Sequence, residues 1–250
     1  MRVCLATLAI GDKYIDEYNR LFRPSQETYA AKHGYDFKVV THYLDANVQH
    51  PDTICFHKLL LCSQSWSEAY DFIIYMDADI LINPRSPPIH EAINFGDKIG
   101  MIDEYTQPTL ERRIEVQKRN GWEQTAREYF QLCGYDLDTK KVFNGGLMVF
   151  QPRKHRKLLE GIYNRNVLKN IGHPRGFHFE QTTVNYELQT ADMIATLSHT
   201  FNALWSIWKA DSPTTTLTDF YANNCFIHFA GRFDFDSIPA LRLHRYATRI

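Results

Sequence analysis

Two aspartates separated by one residue follow an apolar stretch of the chain. Asp77 and Asp79 come directly after Phe72–Met76 and directly before Ile80–Ile82. At the end of a strand, carboxylates with this spacing can turn to one side, where they repel each other unless a cation lies between them. Carboxylate oxygens are the ligands that Mg²⁺ and Mn²⁺ favour. The pair therefore predicts a divalent metal site, and an ordinary turn is the alternative.

The chain contains two further Asp-x-Asp triplets, so the pattern alone carries little weight. Asp136 and Asp138 lie in a polar stretch, and Asp234 and Asp236 lie near the end of the chain. We interpret both pairs as structural, since Asp236 could simply cap a final helix. Only the first pair lies between two apolar segments, where carboxylates without a partner would be costly to bury.

Three other segments combine polar side chains with small residues at the edges of predicted elements. Taken singly, they can be explained by a glycine bulge, by residues that suit a helix dipole, and by a histidine in the core. Glycines at the mouth of a strand also let a ligand approach the backbone closely. The segments are Phe143–Phe150, which contains Asn144, Gly145 and Gly146; Glu180 and Gln181; and His228 with Gly231 and Arg232.

Apolar strand-like stretches alternate with helical periodicity along the chain. Strands are predicted over 3–10, 35–43, 70–76, 99–102 and 142–150, and helices over 13–33, 56–66, 109–133 and 152–170. Pro24 and Gly121 interrupt two of these helices, and Gly34 ends the first. Single helices between strands predict an α/β fold with a central, mostly parallel sheet flanked by helices, and ligands collect at the carboxyl ends of such strands. No repeat or linker divides the chain, so residues 1–250 are predicted to form a single domain.

The composition excludes several classes of partner. Among 250 residues, Lys and Arg number 28 against 29 Asp and Glu, which gives no net attraction to nucleic acid or to an anionic membrane. The five cysteines are scattered and odd in number, which argues against a disulfide framework or a structural zinc site. No apolar run is long enough to cross a bilayer, and the first residues resemble a strand instead of a signal peptide. We therefore expect a cytoplasmic protein without membrane insertion.

Taken together and in order, the four motifs resemble the nucleotide-sugar-dependent glycosyltransferases of the GT-A fold. The resemblance extends over about residues 3–232 and is greatest to the retaining galactosyl/xylosyltransferase-like and glycogenin-like groups. Small glycosyltransferases of large algal viruses, which build capsid glycans in the cytoplasm, are also similar. The ordered occurrence of four motifs is more specific than any one of them. It implies a single Rossmann-like GT-A domain.

The resemblance also implies a role for each candidate residue. Asp77, Asp79 and His228 would bind Mn²⁺, with Mg²⁺ as the alternative, beside the diphosphate of a UDP-sugar donor. Glu180 and Gln181 would lie beneath the anomeric carbon as the catalytic pair. The residues implied to contact the donor are Thr7, Leu8, Ala9 and Tyr14 around uracil, Asp77 near the ribose, Asn144 and Gly145 at the sugar, and Lys58, Gly231 and Arg232 near the diphosphate.

The expected reaction is transfer of the sugar, with retention, to a glycan or glycoconjugate acceptor. Trp205 and Trp208 could bind that acceptor or belong to the core. Two features depart from the similar families, which usually carry Lys after the His-x-x-Gly motif and often Asp at position 180, where this chain has Arg232 and Glu180. The alternatives are a Mg²⁺-dependent phosphohydrolase with an Asp-x-Asp motif and a non-catalytic nucleotide-sugar binding module. The sequence does not indicate an oligomeric state.

Overall fold

A six-stranded sheet forms the centre of the computed structural model, which describes residues 1–241. The strand order is β2-β1-β3-β6-β5-β7, and a second sheet has the order β4-β9-β8. The strands are β1 (Val3–Leu8), β2 (Asp36–Val40), β3 (Phe72–Met76), β4 (Ile80–Ile82), β5 (Ile99–Asp103), β6 (Phe143–Phe150), β7 (Ile194–Leu197), β8 (Ala203–Leu204) and β9 (Phe226–His228). The predicted single domain also includes residues 242–250, which lie outside the described part of the chain.

The central sheet is mixed. β1 pairs in parallel with β2 and β3, and β5 pairs in parallel with β7. β6 lies antiparallel between β3 and β5. The predicted α/β fold with a mostly parallel sheet is confirmed, although a buried apolar strand carries no sequence signal for the direction of β6. Its first residues consequently lie at the same edge of the sheet as the last residues of β1 and β3.

Local sequence signals set most of the helix boundaries. The helices are α1 (Asp12–Leu21), α2 (Arg23–His33), α3 (Leu110–Asn120), α4 (Ala126–Gln131), α5 (Pro152–Asn166), α6 (Phe177–Thr190), α7 (Trp205–Asp211) and α8 (Leu217–Asn223). Pro24 lies in the first turn of α2, and Gly121 ends α3 with φ 68°. A capping box of Thr125 and Glu128 begins α4. Within residues 1–241, no helix has the length and apolar character needed to span a bilayer.

One predicted helix has a different form. The segment expected as a helix over 56–66 belongs to a 3₁₀ helix, Pro51–Ser63. Shorter 3₁₀ turns are Ser67–Ala69, Ile89–Glu91, Glu104–Thr106, Val167–Asn170, His199–Asn202, Ala230–Arg232 and Phe235–Ser237. Asp236 lies inside the last of these turns and Asp234 precedes it, so the proposed cap at Asp236 is wrong.

Alternate residues of the central strands face two different apolar layers. On one face, Ile73 and Tyr75 pack with the 3₁₀ helix Pro51–Ser63 and with α5 and α6. On the other face, Ile74 and Met76 pack with α2 and with the second sheet. The sheet is therefore buried on both faces, which explains why its strands read as nearly continuous apolar runs.

The second sheet determines where the end of the chain meets the Asp77–Asp79 turn. β3 ends at Met76, and β4 then leaves the central sheet to pair antiparallel with β9. Ile80 lies opposite His228 in this pairing, and the Phe229 N–H donates to the Asp79 carbonyl at 3.1 Å. Backbone hydrogen bonds thus place a histidine from the C-terminal part of the chain beside the acidic pair.

Trp205 tests the packing of this C-terminal part. It is 1% exposed, its Nε1 donates to Asp234 Oδ2 at 2.8 Å, and its ring lies 5.1 Å from Phe220. Trp205→Ala should lower the free energy of unfolding by about 3–5 kcal/mol. Trp122→Ala, at a position 46% exposed, is the control and should change it by less than about 0.5 kcal/mol. Chemical denaturation measures both, and equal effects would contradict the core assignment.

Candidate functional site

A cleft of about 590 Å³ opens where β1 and β3 end and β6 begins. It is lined by Leu8, Tyr14, Lys58, Asp77, Asp79, Asn144, Gly145, Glu180, Gln181, His228, Gly231 and Arg232 among the predicted site residues. Ligands of doubly wound α/β folds bind at this edge of the sheet. The structure thus brings together twelve of the fourteen residues that the sequence singled out.

Thr7 and Ala9 do not line the cleft. Both are fully buried, whereas Leu8 and Ile10 are lining residues. Successive side chains of a strand point to opposite faces, so one residue of each neighbouring pair must turn away from the cleft. The prediction took the strand end over 7–10 as a whole, and the structure turns only Leu8 and Ile10 of it toward the cleft.

Asp77, Asp79 and His228 form a compact cluster at the floor of the cleft. One ligand atom from each residue lies within 4.8 Å of the others. His228 Nε2 is 3.2 Å from Asp79 Oδ1 and 3.8 Å from Asp77 Oδ2. The histidine side chain is 4% exposed, whereas that of Asp77 is 33% exposed and remains accessible from the cleft. Two carboxylates and one imidazole suit a divalent ion with open positions for a substrate.

The chemistry of the donor set supports this assignment. His228 Nδ1 contacts the carbonyl oxygen of the Asn202 side chain at 2.9 Å, so Nδ1 carries a proton and Nε2 faces the carboxylates. Burial by itself lowers the pKa of His228, but Asp79 and Asp77 raise it above its ordinary value. A positive charge between these atoms, whether a proton or a metal ion, is therefore favoured.

Two glycines make room for the cluster at the beginning of β6. A Cβ at Gly146 would lie 2.4 Å from His228 Cε1 and 2.9 Å from Asp77 Oδ2. A Cβ at Gly145 would lie 2.8 Å from Lys58 Nζ. The distances to His228 Cε1 and to Lys58 Nζ are shorter than nonbonded atoms allow, so a side chain at either glycine would force one of these groups to move.

Lys58 and Glu180 form a buried ion pair beside Gly145. Lys58 Nζ lies 3.0 Å from Glu180 Oε1 and donates to the Gly145 carbonyl at 3.0 Å. Burial raises the pKa of Glu180 to about 7, although Lys58 opposes this shift. Burial disfavours the charged amine of Lys58, but Glu180 and Asp77 raise the pKa of that amine. Lys58 is thus engaged by protein groups at the edge of the cleft.

Gln181 is oriented by Gly145 and by residues that the sequence analysis did not include. Its Nε2 donates to the Tyr129 hydroxyl at 3.0 Å, and its Oε1 accepts from the Gly145 N–H at 3.3 Å. Behind it, Asn144 Nδ2 donates to Glu104 Oε2 at 2.9 Å, and Glu104 pairs with Arg113 at 3.1 Å. These tertiary contacts have no motif that a single sequence could reveal.

The other wall of the cleft ends at a turn with left-handed backbone. Gly231 and Arg232 have φ values of 70° and 64°. The Arg232 guanidinium pairs with Glu17 of α1 at 2.5 Å. The cation predicted to face a diphosphate therefore lines the cleft and forms an ion pair with a carboxylate of α1.

A further residue missed by the sequence analysis is Tyr75, the penultimate residue of β3. Its hydroxyl donates to Asp77 Oδ1, and its ring lies 5.5 Å from Lys58 Nζ. Its place two residues before Asp77 was a usable signal, since alternate strand residues share a face. Tyr75 therefore orients one of the two carboxylates of the cluster.

The remaining motif candidates lie elsewhere. Asp136 is exposed and pairs with Arg127 at 2.9 Å, and Asp138 is also exposed. Asp234 accepts a hydrogen bond from Trp205. Trp205 lies in the core, and neither it nor Trp208 lines the cleft. The structural interpretation of the two extra triplets agrees with these positions.

Comparison with known proteins identifies the fold. No protein-family model and no curated protein matches the sequence. Among solved structures, the chain is similar to a glycosyltransferase involved in glycosylation of the major capsid of PBCV-1, with 13% identity, a TM-score of 0.62 and coverage of 97% of this chain and 100% of that chain.

Two further structures show the same architecture. The galactosyltransferase LgtC in complex with donor and acceptor sugar analogs has 13% identity and a TM-score of 0.54 over 96% of this chain and 95% of that chain. Mouse xyloside xylosyltransferase 1 has 14% identity and a TM-score of 0.50 over 93% and 99%. The chain therefore has the GT-A fold of these glycosyltransferases, as the motif resemblance predicted.

Gly146→Ala should disrupt the acidic and histidine cluster, because its methyl group would collide with His228 Cε1. We expect the affinity for Mn²⁺ to fall by at least about tenfold, measured by electron paramagnetic resonance of free Mn²⁺. Gly161→Ala in α5 is the matched control, since its nearest neighbour is the flexible end of Arg165 at 3.1 Å. It should retain wild-type binding and fold at least as stably. Wild-type affinity in the Gly146 variant would contradict the assignment.

Glu180 should make a distinctive contribution to the pH dependence of stability. Its pKa rises from 4.5 to about 7 on folding, so the folded state holds the proton more tightly. The contribution of Glu180 to the free energy of unfolding is therefore greatest at low pH. It decreases by about 3 kcal/mol as the pH rises from about 4.5 to 7.

Glu180→Gln should remove that decrease, as measured by denaturation of metal-free protein across this pH range. Glu160→Gln removes a partly exposed carboxylate of α5 and serves as the control. If Glu180→Gln and wild type show the same pH profile, the ionisation assigned to Glu180 is incorrect.

Proposed function

We propose that this chain is a metal-dependent glycosyltransferase that moves a sugar from a UDP-sugar to a glycan or glycoconjugate acceptor, with retention of anomeric configuration. The observation that carries the proposal is the Asp77, Asp79 and His228 cluster, which lies in the cleft of a GT-A fold. The complex of LgtC with donor and acceptor sugar analogs supports the assignment of two sugar partners.

The donor set favours Mn²⁺ over Mg²⁺ because one of its three ligands is an imidazole. A divalent ion bound there supplies Lewis-acid stabilisation of the negative charge that develops on a leaving diphosphate. Asp77 and Asp79 provide the anionic ligands, and the Tyr75 hydroxyl keeps one Asp77 oxygen fixed. Arg232 lines the same cleft and adds a cation near this end.

Glu180 and Gln181 provide the groups for the sugar end of the reaction. Both line the cleft in the first turns of α6, next to Gly145. Lys58 holds Glu180 in place, and Tyr129 with Gly145 holds Gln181. Oxygen atoms fixed in this way stabilise the positive charge of an oxocarbenium-like sugar without reorganising during the reaction.

Bond changes at the anomeric carbon follow from retention. The bond from this carbon to the phosphate oxygen breaks, and its electron pair remains on the diphosphate. The acceptor hydroxyl oxygen forms the new bond on the same face of the sugar, and its proton passes to the leaving phosphate oxygen. Glu180 and Gln181 act on the opposite face, and the buried walls around them limit the access of water.

The first test measures binding of UDP by isothermal titration calorimetry with and without Mn²⁺. Wild type should bind UDP more tightly with the metal, and Asp79→Asn should lose this dependence because a direct ligand is removed. The loss should exceed the roughly 10–100-fold effect of altering a group behind a ligand. Asp138→Asn changes an exposed aspartate of another Asp-x-Asp triplet and is the matched control. UDP binding that never depends on metal would overturn the proposal.

The second test measures turnover with a panel of UDP-sugars and follows the product anomer by nuclear magnetic resonance. We expect release of UDP, and we expect the product to keep the anomeric configuration of the donor. An inverted product would overturn retention alone. Metal-dependent UDP binding without turnover on any sugar would identify a binding module, and phosphate release that is insensitive to UDP would identify a phosphohydrolase.

A further inference from the structure

His228 has a second side-chain partner on the side of the ring away from the acidic pair. Asn202 ends the 3₁₀ turn His199–Asn202 immediately before β8, and it is fully buried. β8 pairs in parallel with β9, and this pairing places Leu204 beside His228. The Asn202 side chain therefore reaches His228 from the turn that precedes the neighbouring strand, with Oδ1 2.9 Å from Nδ1 of the ring.

The orientation of the Asn202 amide is fixed by backbone chemistry. The Gly146 N–H can only donate, and it donates to Asn144 Oδ1 at 2.9 Å. Asn202 Nδ2 donates to that same oxygen at 2.8 Å, so Asn202 Oδ1 must face the ring. Glu104 fixes the other end of Asn144 by accepting from its Nδ2 at 2.9 Å.

An amide oxygen accepts hydrogen bonds and cannot donate them, so the ring atom facing Asn202 carries the proton. In the neutral imidazole, Nε2 is then left with its lone pair directed at Asp79 and Asp77, 3.2 and 3.8 Å away. Without Asn202, the opposite tautomer could donate from Nε2 to Asp79. The proton on Nε2 would then take the position at which a metal ion needs the lone pair of that nitrogen.

We propose that Asn202 is a positioning residue that holds His228 in the Nδ1–H tautomer and thereby keeps Nε2 available to a divalent cation. This inference rests on the metal site of the proposed function and adds a residue that lies outside the cleft lining. A partner on the second ring nitrogen orients the ligand and increases its basicity, and losing such a partner typically costs about 10–100-fold in metal affinity.

The test uses three variants of the full chain and Mn²⁺ alone as the probe. Asn202→Leu keeps the volume but removes the acceptor. Asn202→Asp keeps an acceptor for the Nδ1 proton. Asn224→Leu is the control, because Asn224 is also buried and lies four residues before His228. Its side chain donates to the backbone carbonyl of Phe220 and not to the histidine. Electron paramagnetic resonance gives the Mn²⁺ affinity, and pulsed measurements detect ¹⁴N coupling from a bound imidazole.

Asn202→Leu should weaken Mn²⁺ binding about 10–100-fold and lose the ¹⁴N coupling, whereas the control should retain both properties. Asn202→Asp should retain the ¹⁴N coupling, and its loss there overturns the inference whether or not the leucine variant folds. Wild-type affinity and coupling in a folded Asn202→Leu protein would also overturn it while leaving the proposed function intact. If wild type itself binds no Mn²⁺, both the inference and the metal dependence of the proposed function fail.

Discussion

The pairing of β4 with β9 is the constraint on which the cleft depends. It places Ile80 opposite His228 and so holds an imidazole against two carboxylates that would otherwise repel each other. A positive charge among its atoms stabilises the resulting cluster. The ladder hydrogen bonds of a small second sheet thus enforce a local arrangement that the side chains alone would disfavour.

Close approach of the backbone is the second requirement, and β6 provides it. Because this strand enters the sheet antiparallel to its neighbours, its first residues lie beside the last residues of β3. Each of these first residues has a different role. Asn144 connects several hydrogen bonds, Gly145 accepts one from Lys58, and Gly146 leaves space for His228. A side chain at either glycine would displace groups that are already buried and paired.

Much of this architecture was accessible from the sequence because its signals are local. The helix breaks at Pro24 and Gly121, the buried strands, and the acidic pair between two apolar segments depend on neighbouring residues. The direction of β6 was not accessible, since an apolar strand reads the same in either direction. Asn202 and Glu104 were missed because their roles arise from contacts between residues distant in the chain. Thr7 and Ala9 were included because the phase of a pleat cannot be deduced from a continuous apolar run.

The two aspartates and the histidine of the cluster belong to opposite halves of the polypeptide. Asp77 and Asp79 follow the third strand, whereas His228 ends the ninth. A chain in which only the first half has folded therefore has the anionic groups without the imidazole. A cation that binds all three side chains would therefore stabilise the fully folded molecule relative to partly folded forms. It would link the two halves of the chain once both have folded.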